Sequence, residues 1–215
     1  MKFYVSSAFL DIGEIVEIAR AADEIGYAGI AIPDHVVNLE TLRTPYPYTH
    51  DGQRRWQPFT DWPDPWVLVG AMAQATTRLK FVTTVYIPAM RDPYTAAKAI
   101  GTAACLSGGR VELGVGVGWC AEEFDLLGQS FARRGKRTDE MLEVMKTLWQ
   151  PGWHEFGGEF FSMPRLDDAA PDPDLRRGAV RHRAAACCAQ RRLDRRSHRS
   201  GAGGRIGGPH SCAPC

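Results

Sequence analysis

Apolar positions along the first 166 residues follow two periods that take turns, a strand-like run and then a helical face. Lys2 to Ser6 is a short apolar strand, and Ile15, Ile18, Ala19, Ala22 and Ile25 then recur at helical spacing. That spacing predicts a helix over Ile12 to Ile25, with Asp11 as its N-cap and Gly26 as its stop. Ala28 to Pro33 (AGIAIP) is apolar on both faces, as a buried parallel strand is, and it ends in Asp34 and His35. Asp64 and Pro65 open a second helix carrying Trp66, Val67, Val69, Met72 and Ala73 toward Thr76. Leu79 to Ile87 reads as a third strand and Tyr94 to Leu106 as a third helix. In the fourth strand, opened by Arg110, the residues Val111, Leu113, Val115 and Val117 alternate with Gly114, Gly116 and Gly118. The acidic turn Ala121 to Asp125 then starts a helix. Arg133 to Trp149 is a further amphipathic helix, and Trp153 to Met163 reads as a hairpin about Gly157 and Gly158.

Four strand-helix units in a row give a parallel sheet, which fits either a doubly wound sheet or a barrel. Three features favour the barrel: a long loop after the second strand, polar residues at several strand ends, and no G-x-G-x-x-G after the first strand. The cluster 114-GVGVG-118 lies within a strand and lacks that fingerprint's spacing. The loop, Asn38 to Pro63, holds four prolines and the aromatics Tyr46, Tyr48, Trp56, Phe59 and Trp62. It is expected to form a lid or pocket wall, although a packing insertion that touches no ligand would have the same composition.

Charge divides the chain. The net +1 of the 215 residues hides a segment from Asp174 to Cys215 with ten Arg, no Lys and two acids, so the part before it carries −7. The same segment lacks Phe, Tyr, Trp and Met, shows no strand or helix period, and holds four of the six Cys. Its Cys and His are poorly spaced for a structural zinc site. Its Arg residues come without aromatics to stack on bases, so neither a metal nor a nucleic-acid partner is expected. No apolar run approaches the roughly 20 residues of a membrane span, and Met1 to Leu10 lacks the features of a signal peptide, so a cytoplasmic location is expected.

The candidate chemistry gathers at strand ends, where α/β proteins bind ligands. His35 is the natural proton donor or acceptor, since an imidazole titrates near neutrality. Asp34 can influence the charge beside it, although adjacent strand residues point to opposite faces. Gly114, Gly116 and Gly118 leave room for something flat to approach the backbone, with Trp119 at the same strand-to-helix mouth. A glycine-rich core strand packed under a helix gives the same pattern, so both readings stand here. Arg110 at a strand start suggests a structural salt bridge. Glu122 and Glu123 suit a helix start through the helix dipole alone, and Cys120 is assigned no chemistry.

The segments 26-GYAGIAIPDH-35, 78-RLKFVTTVYIPAMRDP-93, 106-LSGGRVELGVGVGWCAEEFDLLG-128 and 133-RRGKRTDEMLEVMKTLW-149 resemble the luciferase-like monooxygenase superfamily, especially its deazaflavin-dependent actinobacterial branch. The resemblance implies a luciferase-like (β/α)8 TIM barrel, of which residues 1–166 would be the N-terminal half, binding coenzyme F420 or else FMN at its C-terminal mouth. It implies an oxidoreductase that moves a hydride between the deazaflavin and a small-molecule substrate, often as a homodimer. An FMN-dependent monooxygenase and a truncated, inactive pseudoenzyme are the alternatives. By the same resemblance His35 lies near the cofactor, and Thr84 and Val85 stand where the family bends its backbone against the ring, commonly through a non-prolyl cis peptide.

Residues 167–215 depart from the family pattern and are expected to be a non-homologous, disordered tail. Writing Asp174 to Arg196 in synonymous codons and moving the frame by one base yields a strand-like run ending in Gly-Gly, a helix-like run and Asp-Gly-Trp, the order the family pattern calls for. A frameshift between about Met163 and Asp174 is therefore expected, and the coding DNA tests it.

Overall fold

The computed structural model describes residues 1–167; the readings placed on the tail, including the frameshift, lie outside the described residues. Four short strands, β1 (Tyr4–Ser6), β2 (Gly29–Ile32), β3 (Lys80–Thr83) and β4 (Val111–Glu112), form one parallel sheet in the order β1-β2-β3-β4. The register runs Tyr4 to Gly29, Ile30 to Phe81 and Phe81 to Val111. Each strand is laid beside its predecessor on the same side. A doubly wound sheet instead reverses direction from its first strand, so this order is that of a barrel wall.

Helices α1 (Ile15–Glu24), α2 (Pro65–Ala75), α3 (Pro93–Leu106) and α5 (Arg134–Leu148) pack in sequence as an outer layer, while the short α4 (Ala121–Leu126) follows β4. Ile15, Ala19, Val69, Met72, Ile100 and Met141 turn inward onto Ile30, Phe81 and Leu113, all in one buried cluster. Asp64 caps α2 through bonds from the Trp66 and Val67 N–H groups, and Asp92 caps α3 in the same way. An antiparallel hairpin, β5 (His154–Gly157) with β6 (Ser162–Leu166), packs on α5.

Several boundaries differ from the periodicity. Helix α1 starts three residues later than Ile12, because Asp11 turns its side chain to the Gly13 N–H and forms a turn ahead of the helix. Ile25, which its spacing puts on the apolar face of the helix, is exposed, and so is Val67 in α2. The third strand leaves the ladder after Thr83, where the Thr84–Val85 peptide is cis, and the fourth continues past Glu112 only through a bridge between Tyr86 and Val115.

Among the described residues Arg110 forms no salt bridge, contrary to the expectation. Its guanidinium donates to the carbonyls of Ala73, Leu79 and Ser107 and to the Thr76 hydroxyl. Ala73 and Ser107 belong to the C-terminal turns of α2 and α3, whose last carbonyls have no partner within their own helices. The residue closes helix ends at the bottom of the sheet, away from the ligand-binding mouth.

Candidate active site at the mouth of the sheet

All four strands point their C-terminal ends at one cavity of about 500 Å³. The segment after β1 contributes Ala8 and Phe9, and the segment after β2 contributes Pro33, Asp34 and His35. After β3 come Thr84, Val85, Ile87 and Met90, and after β4 come Gly118, Trp119, Cys120 and Glu123. The loop predicted as a pocket wall is one: Tyr46, Tyr48, Trp56 and Trp62 line the same space, while Phe59 at its tip is exposed.

His35 stands at the centre. Its ring lies 4.6 Å from Trp62, 5.1 Å from Trp56 and 6.0 Å from Trp119, centroid to centroid. Nδ1 is 2.9 Å from the Glu123 Oε2 atom. The other oxygen of Glu123 accepts from the Val36 N–H at 2.9 Å and the Val37 N–H at 3.3 Å. A carboxylate that accepts on both oxygens places the imidazole hydrogen on Nδ1 and leaves Nε2 as the acceptor. Nε2 makes no hydrogen bond with any described residue. Glu123 escaped sequence reasoning because a helix-start acid needs no partner, and because His35 is 88 positions away in the chain.

Asp34 also lines the cavity, but its carboxylate is committed to structure. It takes a two-pronged bond from Arg91, at 2.9 and 2.6 Å, and one from the Ile87 N–H at 2.9 Å. Burial pushes its carboxyl up against the pull of Arg91. The pair ties the end of β2 to the segment after β3, and so fixes the backbone from which the His35 ring projects.

The glycines need correcting. Thr84, Val85, Gly118 and Trp119 line the cavity, whereas Gly114 and Gly116 lie outside its lining. A Cβ at Gly114 would overlap the Thr83 carbonyl, one at Gly116 the Val85 side chain, and one at Gly118 the Phe124 and Ile87 side chains. The space that Gly114 and Gly116 leave is filled by the neighbouring chain from Thr83 to Ile87, which stays paired through Tyr86 N–H to Gly114 and Gly116 N–H to Tyr86, and the space at Gly118 is filled by Phe124 and Ile87. Alternation of small residues was legible, but not whether a ligand or a strand fills the gap. Gly118 also sits at φ +80°, a conformation only glycine adopts readily.

Of the other titratable groups here, the two phenols and the thiol stay protonated. Burial pushes the Tyr46 and Tyr48 phenols up. Burial, reinforced by Glu122 and Glu123, takes the Cys120 thiol up to about 12, which leaves it without a thiolate. Glu122 moves the other way: burial favours its neutral form, but hydrogen bonds from Thr44 and the Arg43 backbone hold it at about 2.

Among the described residues no helix is long and apolar enough to cross a membrane. A solved structure, monooxygenase RslO1 from Streptomyces bottropensis, superimposes with a TM-score of 0.67 at 22% identity, covering 85% of this chain and 52% of that one. This likeness supports the barrel fold. Uncharacterized protein Rv0940c of Mycobacterium tuberculosis is 37% identical over 165 residues, 77% of this chain and 57% of that protein. An F420-dependent glucose-6-phosphate dehydrogenase of Gordonia bronchialis is 31% identical over 165 residues, 74% of this chain and 44% of that protein. The chain thus spans about half the length of the curated relatives it matches. The family model described as luciferase-like monooxygenase matches residues 4–191, from the first strand to beyond the hairpin. With strands in barrel order converging on one mouth and that match over most of its length, the chain belongs to the luciferase-like monooxygenase family of oxidoreductases.

Proposed function

We propose that the protein is an oxidoreductase that works with coenzyme F420 on a small organic substrate, with His35 handling the proton at Nε2. The observation that carries the reading is the Glu123–His35 pair inside the cavity: one ring nitrogen is held by a buried carboxylate and the other is left without a described partner. When bound, a deazaflavin supplies a ring carbon that gives or takes a hydride. The residues present fit such a group, since Thr84, Val85, Gly118 and Trp119 offer it a largely apolar wall beside the histidine.

In this arrangement Nε2 accepts the proton of a substrate hydroxyl in one direction and returns it in the other. Glu123 keeps the ring in the tautomer that can do so. The indoles of Trp56 and Trp62 limit water around it, so the proton stays between ring and substrate.

Titrating the purified full chain with F420 and, separately, with FMN, while following cofactor fluorescence, tests the reading. Saturable binding of F420 in preference to FMN is expected. Preference for FMN replaces this function with a flavin-dependent monooxygenase, and binding of neither leaves a pseudoenzyme.

A further inference from the structure

The cavity wall has a composition that bears on the substrate. Seven Phe, Tyr and Trp rings stand around it, from Phe9, Tyr46, Tyr48, Trp56, Trp62, Trp119 and Phe124, and no Lys or Arg is among its described lining. The guanidinium groups nearby are already engaged. Arg91 is paired with Asp34, Arg134 donates to the Gly118 and Phe131 carbonyls, and Arg54 donates to Asn38 and to the carbonyls of Leu39 and Glu40. Arg55 lies outside the lining and donates to the Tyr48 carbonyl. A phosphate group brought into this space would lose its water and meet aromatic faces, Glu123 and protonated phenols, with no Lys or Arg among the described lining residues to replace the hydration. A cation would find the aromatic faces attractive. Those rings, however, already pack edge to face on one another, and both carboxylates have partners.

We infer that this wall receives the uncharged, apolar part of the substrate, a compact ring-sized alcohol or carbonyl compound, and rejects phosphate esters. The inference rests on reading the cavity as the substrate site. It separates this chain from the glucose 6-phosphate named for the Gordonia relative, despite 31% identity. The hydroxyl or carbonyl oxygen falls to His35, and the hydrocarbon to Trp56, Trp62 and Trp119.

A matched set of probes tests it on the full chain: cyclohexanol, cyclohexyl phosphate and cyclohexylammonium, titrated while following intrinsic tryptophan fluorescence. Cyclohexanol is expected to give a saturable change, with the phosphate at least ~10-fold weaker, because burying an unpaired charge costs more than one decade of affinity. Trp62→Leu keeps the wall apolar but removes a ring, and is expected to weaken cyclohexanol several-fold. Phosphate or ammonium binding as tight as the alcohol overturns the inference, as does unchanged alcohol binding in Trp62→Leu. No saturable response to cyclohexanol in a chain that binds F420 also overturns it, and leaves the cofactor reading intact. A saturable response in a chain that binds neither F420 nor FMN supports the inference and removes the cofactor reading.

Discussion

Replacing Glu123 by alanine strips the acceptor from three donors at once: His35 Nδ1, the Val36 N–H and the Val37 N–H. Glu123 is 3% exposed and the His35 side chain 14%, so water reaches the orphaned groups poorly. Each unsatisfied buried donor costs about 1–3 kcal/mol, with the 3.3 Å bond to Val37 contributing least. The total for removing one member of a buried charged set is about 3–5 kcal/mol. Glu123→Gln is milder. Its carbonyl oxygen still serves Val36 and Val37, and its amide can donate to Nδ1 once the imidazole switches tautomer, so the loss is about 1 kcal/mol of charge assistance. In a chain of this size each kcal/mol moves the melting temperature by about 2–4 °C. Circular-dichroism melts should therefore fall by roughly 6–20 °C in Glu123→Ala and by less than ~5 °C in Glu123→Gln. The glutamine variant carries a second signature, because its switched imidazole bears hydrogen on Nε2 and can no longer accept a substrate proton. Equal melting of the two variants, or an alanine variant within ~2 °C of the parent, would falsify the assignment of Glu123 as the buried anchor of His35.

Acid should loosen the loop wall. The Glu122 carboxyl is held at about 2, below its ordinary 4.5, so it contributes stability above about 4.5 that is lost as pH falls toward 2. Melting temperature against pH should show a shallower acid limb in Glu122→Gln, and an unchanged limb removes Glu122 from the account. Gly114→Ala should cost about 1–3 kcal/mol, since its methyl group meets the Thr83 carbonyl between paired strands. Gly135→Ala, in the first turn of α5 with open space around it, should stabilise by up to ~1 kcal/mol; urea midpoints of the pair check both signs. Asp34→Ala leaves Arg91 buried without its partner and should cost about 3–5 kcal/mol. Adding Arg91→Met to that chain should recover part of the loss, and a double variant no more stable than the single one sinks the ion-pair account.

Much of the fold was legible because a parallel strand buried on both faces and a helix buried on one leave different periods, as in Ala28 to Pro33 and Arg133 to Trp149. Errors fell where a tertiary contact decides. Ile25 carries the right residue type at the right spacing, yet lies one position past the last turn of α1 and faces outward. Gly114 and Gly116 advertise space but not its occupant. His35 could be chosen from its titration range and strand-end position, whereas Glu123 could not, because its role exists only once α4 is brought against the end of β2. Asp34 was legible as a charged group beside the site, but its commitment to Arg91 depends on the path of the chain after β3.

The start of α4 does more than hold the histidine. Between Val36 and Thr44 the loop has no secondary structure to satisfy its backbone, so its N–H groups need other partners. Glu123 takes those of Val36 and Val37, and the adjacent Glu122 takes those of Arg43 and Thr44. Arg54 does the reverse for the loop's acceptors, donating to the carbonyls of Leu39 and Glu40. An irregular segment is thus pinned at both ends by two consecutive carboxylates, and that segment leads into the aromatic part of the loop that walls the cavity. The same short helix therefore sets the tautomer of His35 and the position of the wall facing it. A substitution that shifts α4 should change proton handling and apolar binding together, whereas Tyr48→Leu, in the cavity wall but packed on Tyr46 rather than on His35, should change only the second. Measuring both properties in Glu122→Ala separates these cases: weakened cyclohexanol binding with an unaltered pH profile at His35 would mean that the two carboxylates act independently.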